Sequence, residues 1–240
     1  MSCGRRIGFW SVFALVTGSQ IGSGVFMSPA TLAPYGAWGL LGWVISGFGA
    51  LALAFVFAEL CARFPKTGGP HVYILEAFGP TAAFFAGWTY WIVSFVSTTA
   101  VIVTSVGYLS PLLPFESGIF YIILEFLLLF FIVLLNLRGV KAAGHAEFFL
   151  TLLKFIPLLV MPALALYYFK ASNMSVSPSV ADLGVPSILG HVTLLTLWGF
   201  IGVESATAAA GSVVNPAKTI PRALVAGTLS VAFIYLFCSI

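Results

Sequence analysis

An all-α integral membrane protein with seven transmembrane helices is the fold class this sequence predicts, on three observations. Of its 240 residues, 60% are apolar and 7% are charged, where a soluble domain carries about 25% charged residues. Seven apolar runs each reach the ~20 residues that cross a bilayer core. The basic residues gather at alternate ends of those runs. Runs of this length fit helices, because the strands of a membrane barrel alternate in polarity over about ten residues.

The spans fall at roughly 7–33, 37–62, 80–110, 117–136, 147–169, 189–212 and 221–240. The third is long enough to tilt or to project beyond the bilayer. With the N-terminus inside, the inside segments carry Arg5, Arg6, Arg63, Lys66, Arg138, Lys141, Lys218 and Arg222, and the outside segments carry Lys170. That is the asymmetry of the positive-inside rule, and adding or removing a span would scramble it. Between the second and third spans, a turn at Pro65–Pro70 and an apolar patch from Val72 to Phe78 predict a short helix at the cytoplasmic surface. Residues 171–186, rich in Ser, Pro and Val, read as a loop.

Composition also excludes function classes. The net charge of +3 comes from basic residues at the ends of apolar runs, which is not a nucleic-acid footprint. Cys3, Cys61 and Cys238 have neither metal nor disulfide spacing. His71, His145 and His191 are scattered, so no metal site and no cofactor is expected. Arg5-Arg6 before an apolar run resembles a secretory signal, but the run is too long and lacks a convincing cleavage site. No catalytic constellation, phosphate-binding loop or channel filter is visible.

Two of the spans are interrupted. Gly18-Ser19-Gln20-Ile21-Gly22-Ser23-Gly24 breaks the first, and Gly199-Phe200-Ile201-Gly202-Val203-Glu204-Ser205 breaks the sixth. Each backbone group freed in hydrocarbon costs several kcal/mol unless protein or a wet cavity satisfies it. Breaks are therefore expected where main-chain groups have something to bind, as in secondary transporters with a midplane site. The alternative is that the glycines let helices pack closely.

Four blocks carry a family resemblance: Thr17–Phe26 followed by Pro29; Glu59-Leu60 with Arg63-Phe64-Pro65, Gly68–Tyr73 and Phe78-Gly79; Trp198–Ala206; and Asn215-Pro216 with Lys218–Ala223. In this order the chain resembles the amino acid–polyamine–organocation permeases, near the bacterial basic amino acid and polyamine antiporters such as the arginine/agmatine exchangers. The resemblance implies a LeuT-like fold of two inverted five-helix repeats. Residues 1–240 would form a permease domain, with 1–170 as the first repeat and 187–240 as the start of an incomplete second one. It also implies about twelve spans in relatives, so the chain reads as the N-terminal part of a longer, truncated or split transporter.

The implied function is a secondary transporter that moves amino acids or polyamines by alternating access, proton-coupled or as an antiporter, and is not an enzyme. The alternative is a non-transporting fragment or one half of a split carrier. Expected partners are the small-molecule substrate, the lipid bilayer and protons, with a second copy of the chain or a complementary C-terminal half as candidates. The expected location is the bacterial inner membrane.

The resemblance also implies residue roles. The N–H groups that open the half-helix near Gly22, Ser23 and Gly24 would hold a substrate carboxylate. Carbonyls around Gln20, Trp198 and Ile201 would face an ammonium. Trp198 would stack on the substrate's cationic side chain, worth ~0.5–2 kcal/mol, and Tyr90 would help close the pocket. Glu204, an acid in mid-span, would belong to a gate linked to proton sensing, or serve as a structural hydrogen-bonding group. Proton-coupled permeases carry a lysine at the position of Lys154, its ammonium standing in for a sodium ion near the first broken helix, whereas arginine/agmatine exchangers commonly lack it. The resemblance thus implies a proton-linked role, the alternative being that Lys154 snorkels to the interface. Glu125 reads as a structural polar contact, and Glu59 with Arg63 as a local ion pair. Arginine-selective relatives place asparagine at the positions of Ser19 and Thr98. That departure puts a guanidinium-matched site in doubt and leaves small neutral amino acids, ornithine and polyamines open.

Overall fold

The computed structural model describes residues 6–112 and 118–239. Cys3, Arg5, the first residue of the fourth predicted span and the last residue of the seventh lie outside them. Among the described residues there is no strand, and six helices are long and apolar enough to span a membrane, or seven with one bent pair. The predicted all-α membrane class is the observed one.

The first span is that bent pair: α1, Phe9–Gln20, and α2, Gly24–Leu32, with a 46° bend between Phe9–Gln20 and Gly24–Tyr35. A left-handed Gly36 (φ 53) then starts α3, Ala37–Arg63. A Cβ there would overlap the Met174 and Ser175 carbonyls, so glycine is required. The next helix, α4, is assigned over Pro70–Leu109 but is broken at Gly79 (φ 81), just before Pro80. Its first part is the expected short helix. Its second part is the third span, about 45 Å long at the helical rise.

Helix α5 covers Gly118–Leu137. Helix α6 covers Val140–Ala165, after a left-handed Gly139. The sequence starts the fifth span at Glu147. The structure starts it at Val140, because the Gly139 carbonyl caps the Ala142 and Ala143 N–H groups. The outer loop is not structureless either. It carries a 3₁₀ turn, Ala171–Met174, and a short helix α7, Pro178–Ala181. Ser177 N–H donates to Pro34 O at 2.8 Å, which fastens the loop to the end of the first span.

The sixth span consists of α8, Val185–Leu197, a 3₁₀ turn Trp198–Phe200, a turn, and α9, Ser205–Ala208. The seventh is α10, Pro216–Cys238.

The chain separates into two compact units. One holds the described parts of Met1–Gly69 and Gly144–Ile240, and the other is Pro70–Ala143. In the smaller unit α4 packs on α5, and His71 lies against Gly87, whose missing side chain makes room for it. Helix α5 buries none of its residues, as expected of a helix whose apolar side chains meet lipid.

In the larger unit α3 packs on α10 and α8, and α1 packs on α10. The approaches are close because small residues line them. Gly42 faces Val192, and Gly227 faces Val16. Trp43 is the largest fully buried side chain. Its ring meets Phe200 and Tyr235, with centroids 5.9 and 4.7 Å away, and its indole N–H donates to Ser239 Oγ at 2.7 Å. Replacing Trp43 with alanine empties this contact and should cost about 3 kcal/mol or more. A large drop in thermal midpoint of the detergent-solubilised chain is the measurement, and an unchanged midpoint would contradict this packing.

Candidate functional site

The two breaks meet. Gly202 takes φ 101 and packs onto the Ser19 backbone, where a Cβ would come within 3.1 Å of the Ser19 carbonyl. The Ser19 and Ser205 hydroxyls lie 2.7 Å apart and both reach the Gly202 carbonyl, at 3.0 and 2.7 Å. The segments expected to be interrupted are interrupted, and they are apposed.

A helix that stops leaves carbonyls without their usual donors. Here side chains from other helices replace those donors. In an unbroken helix Gly18 O would accept the Gly22 N–H, but that N–H turns to Gln20 O at 3.0 Å. Lys154 Nζ takes over, donating to Gly18 O at 3.0 Å. The Tyr235 hydroxyl lies 2.8 Å from Gln20 O and 3.0 Å from Gly199 O, and so bridges the two breaks with one buried group. Beside Lys154, Glu147 and Thr151 crowd the Cα of Gly18, leaving no room for a Cβ, and the Thr151 hydroxyl donates to Ala14 O at 3.2 Å.

Donors at the first break are left open. Among the described residues, the N–H groups of Ser23, Gly24 and Val25 meet no acceptor. They form the first turn of α2, with Ser23 and Gly24 exposed. Trp198 stands against Gly24, 73% exposed, on the rim of a hollow of about 410 Å³ that Ser28, Thr31 and Leu195 also line. The hollow is mostly apolar with a few polar groups, the usual make-up of a small-molecule site.

The carbonyls differ from expectation. The Gln20 main-chain carbonyl carries two donors, the Tyr235 hydroxyl and the Gly22 N–H. The Trp198 carbonyl receives Ile201 N–H at 3.3 Å. Of the acceptors expected to face an ammonium, the Ile201 carbonyl is the one with no donor among the described residues, on a residue 57% exposed. The Gln20 side chain is buried, with its amide nitrogen 3.3 Å from Thr228 Oγ1 and its Oε1 without a partner among the described residues.

Glu204 caps α9 through its backbone carbonyl, which accepts the Thr207 N–H and hydroxyl. Its half-buried carboxylate makes no hydrogen bond or ion pair among the described residues. The Lys154 ammonium is directed to the Gly18 carbonyl at the first break. Tyr90 and Thr98 belong to the smaller unit. Tyr90 is half-buried, and Thr98 is exposed, its hydroxyl donating to Ser94 O at 2.8 Å. Glu59 and Arg63 form the expected local pair at 2.7 Å. Among the described residues no group of three His, Cys, Asp or Glu side chains could hold a metal.

Tyr235, Ser205, Thr228 and Glu147 were not singled out from the sequence as parts of this site. Glu147 carried a usable signal, because it lies two helical turns before Lys154 and so on the same face. Tyr235 carried none. It is one aromatic among many in the seventh span, and its role arises from the packing of α10 on α1.

These features define a multi-pass helical membrane protein of the kind that builds a site from two broken, apposed spans. Residues 7–240 match the family described as amino acid permease, and the chain belongs to that family. It is 32% identical to a cadaverine/lysine antiporter of Escherichia coli over 241 residues, covering 98% of this chain and 53% of that protein. It is 31% identical to the putrescine transporter PotE of Haemophilus influenzae over 234 residues, covering 97% of this chain and 54% of that one. The chain spans about half the length of the curated relatives it matches.

Gly202→Ala tests the apposition. Its φ of 101 and its contact with Ser19 leave no unstrained conformation for a side chain, and strain of this kind costs of order 1–3 kcal/mol. The variant should melt several degrees below the parent in detergent, and melting at the parent's temperature would argue against the contact.

Proposed function

We propose that this chain belongs to a secondary transporter that moves amino acids or polyamines across the bacterial inner membrane by alternating access, as an antiporter or coupled to protons. The observation that carries this reading is the set of open N–H donors at Ser23, Gly24 and Val25, set against Trp198 in the larger unit. A helix N-terminus attracts a carboxylate, and an exposed indole attracts a cationic or apolar side chain. An amino acid with a cationic side chain carries both groups. The names of the relatives, one of which pairs a diamine with a basic amino acid, favour the same substrate classes.

In this reading Ser19, Gly22, Ser23, Gly24, Trp198 and Ile201 contact the substrate. Gln20 contributes by holding the break, since its main-chain carbonyl is occupied. Glu204, whose carboxylate is unpaired among the described residues, acts as a gate or proton-linked group. Lys154 supplies a fixed positive charge where the first helix stops. Tyr90 and Thr98 are assigned to the pocket on the resemblance alone. Residues 1–170 form the first repeat and 187–240 open the second. The N-terminus faces the cytoplasm, as the distribution of basic residues suggests. Transport then rocks one helix bundle against the other around the site, without covalent chemistry.

A second reading, one half of a split carrier or a non-transporting fragment, is favoured by the coverage of about half of each relative. Uptake of radiolabelled lysine, ornithine, cadaverine, putrescine and small neutral amino acids into proteoliposomes separates the two. The assay is run with this chain alone and with a complementary C-terminal half of a relative. Uptake by this chain alone supports the first reading, uptake only with the complementary half supports the split carrier, and none by either favours the non-transporting fragment.

Within an active preparation, Trp198→Leu should raise KM for a cationic substrate about three- to thirtyfold, the equivalent of the cation–π contribution. Glu204→Gln should flatten the pH dependence of uptake. An unchanged KM or an unchanged pH profile would remove the corresponding role.

A further inference from the structure

A second hollow, of about 490 Å³, lies at the start of α10, away from both breaks. Phe9, Asn215, Lys218, Thr219 and Arg222 line it. Lys218 and Arg222 are four residues apart on α10 and therefore on one face. Both are exposed, and neither makes an ion pair or side-chain hydrogen bond among the described residues. Among the described residues no carboxylate lines the hollow, so Lys218 and Arg222 have no counter-charge there.

The surroundings are built rather than incidental. Asn215 adopts a left-handed conformation (φ 48) and its carbonyl caps the Lys218 and Thr219 N–H groups, at 3.0 and 2.9 Å. The Thr219 hydroxyl donates to Val214 O at 2.6 Å. Ile7 pairs with the same segment, accepting Val214 N–H at 3.0 Å and donating to Ser212 O at 2.9 Å. This brings the first turn of α1, and Arg6 just before it, alongside the basic pair.

Phe9 forms one wall. It is in ring contact with Trp10 and Phe13, and Trp10 is 67% exposed. Aromatic rings beside basic residues at the end of a span are the pattern of a membrane–water interface. A free anion would gain little from the aromatic wall. A lipid uses both parts, with its phosphate on the cations and its glycerol and upper acyl carbons on the rings. The anionic leaflet on the cytoplasmic side attracts basic groups near the surface, and the positive-inside pattern puts Arg6, Lys218 and Arg222 on that side.

We propose that Lys218 and Arg222, with Phe9 as an apolar wall, form a binding site for the phosphate of an anionic phospholipid. The site links the beginning of the first span to the segment that follows the second break. It does not depend on which solute the carrier moves.

The test is native mass spectrometry of the full chain released from nanodiscs of mixed phosphatidylglycerol and phosphatidylcholine. The parent should retain phosphatidylglycerol selectively and lose it as ionic strength rises. The double variant Lys218→Gln/Arg222→Gln should retain roughly tenfold less. The charge-keeping pair Lys218→Arg/Arg222→Lys and the distant Lys170→Gln should behave like the parent. Equal retention of the two lipids, retention insensitive to salt, or full retention by the double variant would each overturn the proposal. Displacement of the lipid by inorganic phosphate would overturn the assignment to a lipid and leave a site for a free anion. If the double variant does not fold, the single variants Lys218→Gln and Arg222→Gln decide: each should retain less phosphatidylglycerol than the parent, and full retention by both would overturn the proposal.

Discussion

The larger unit depends on satisfying main-chain carbonyls that two helices release in the middle of an apolar layer. Lipid offers them nothing, so each must find a donor inside the protein. The Tyr235 hydroxyl shares its one proton between the Gln20 and Gly199 carbonyls, and the Lys154 ammonium supplies a donor for Gly18. The Ser19 and Ser205 hydroxyls do the same at Gly202. Because one hydroxyl serves both breaks, the position of α10 against α1 and α8 is part of the site's own construction. Trp43 and Phe200 pack around Tyr235 and fix the direction of its ring.

Satisfaction is not symmetric. Most carbonyls at the breaks are covered by side chains, whereas the amides that begin α2 stay open. The groups left open at the first break are therefore donors, and not acceptors. On the acceptor side, the Ile201 carbonyl and the Glu204 carboxylate meet no donor among the described residues.

Much of this was legible in the sequence. The number of spans followed from run lengths and the placement of Lys and Arg. The breaks followed from the clustering of Gly18, Gly22 and Gly24, and of Gly199 and Gly202, with small polar residues inside membrane-length apolar runs. Three features were not legible, each for a physical reason. The start of α6 was placed late because Glu147 looked like a boundary, yet the carboxylate is accommodated within the helix beside Gly18, Thr151 and Lys154. Tyr235 has no local signature, since its partners are 215 and 36 residues away in the chain. The occupied state of the Gln20 carbonyl could not be read at all, because it depends on which donors reach it from α10 and not on the glycine pattern.

The short pairing of Ile7 with Val213 adds a mechanical element. On the same side of the larger unit, Gly68 N–H donates to Ala208 O and Gly211 N–H to Thr67 Oγ1. Residues 208–214 are therefore moored at once to the leading edge of the first span and to the turn that follows the second. A piston-like or tilting displacement of α9 must drag both moorings or break them. These contacts hold the segment just after α9, one helical turn from Glu204, to two other parts of the larger unit at once.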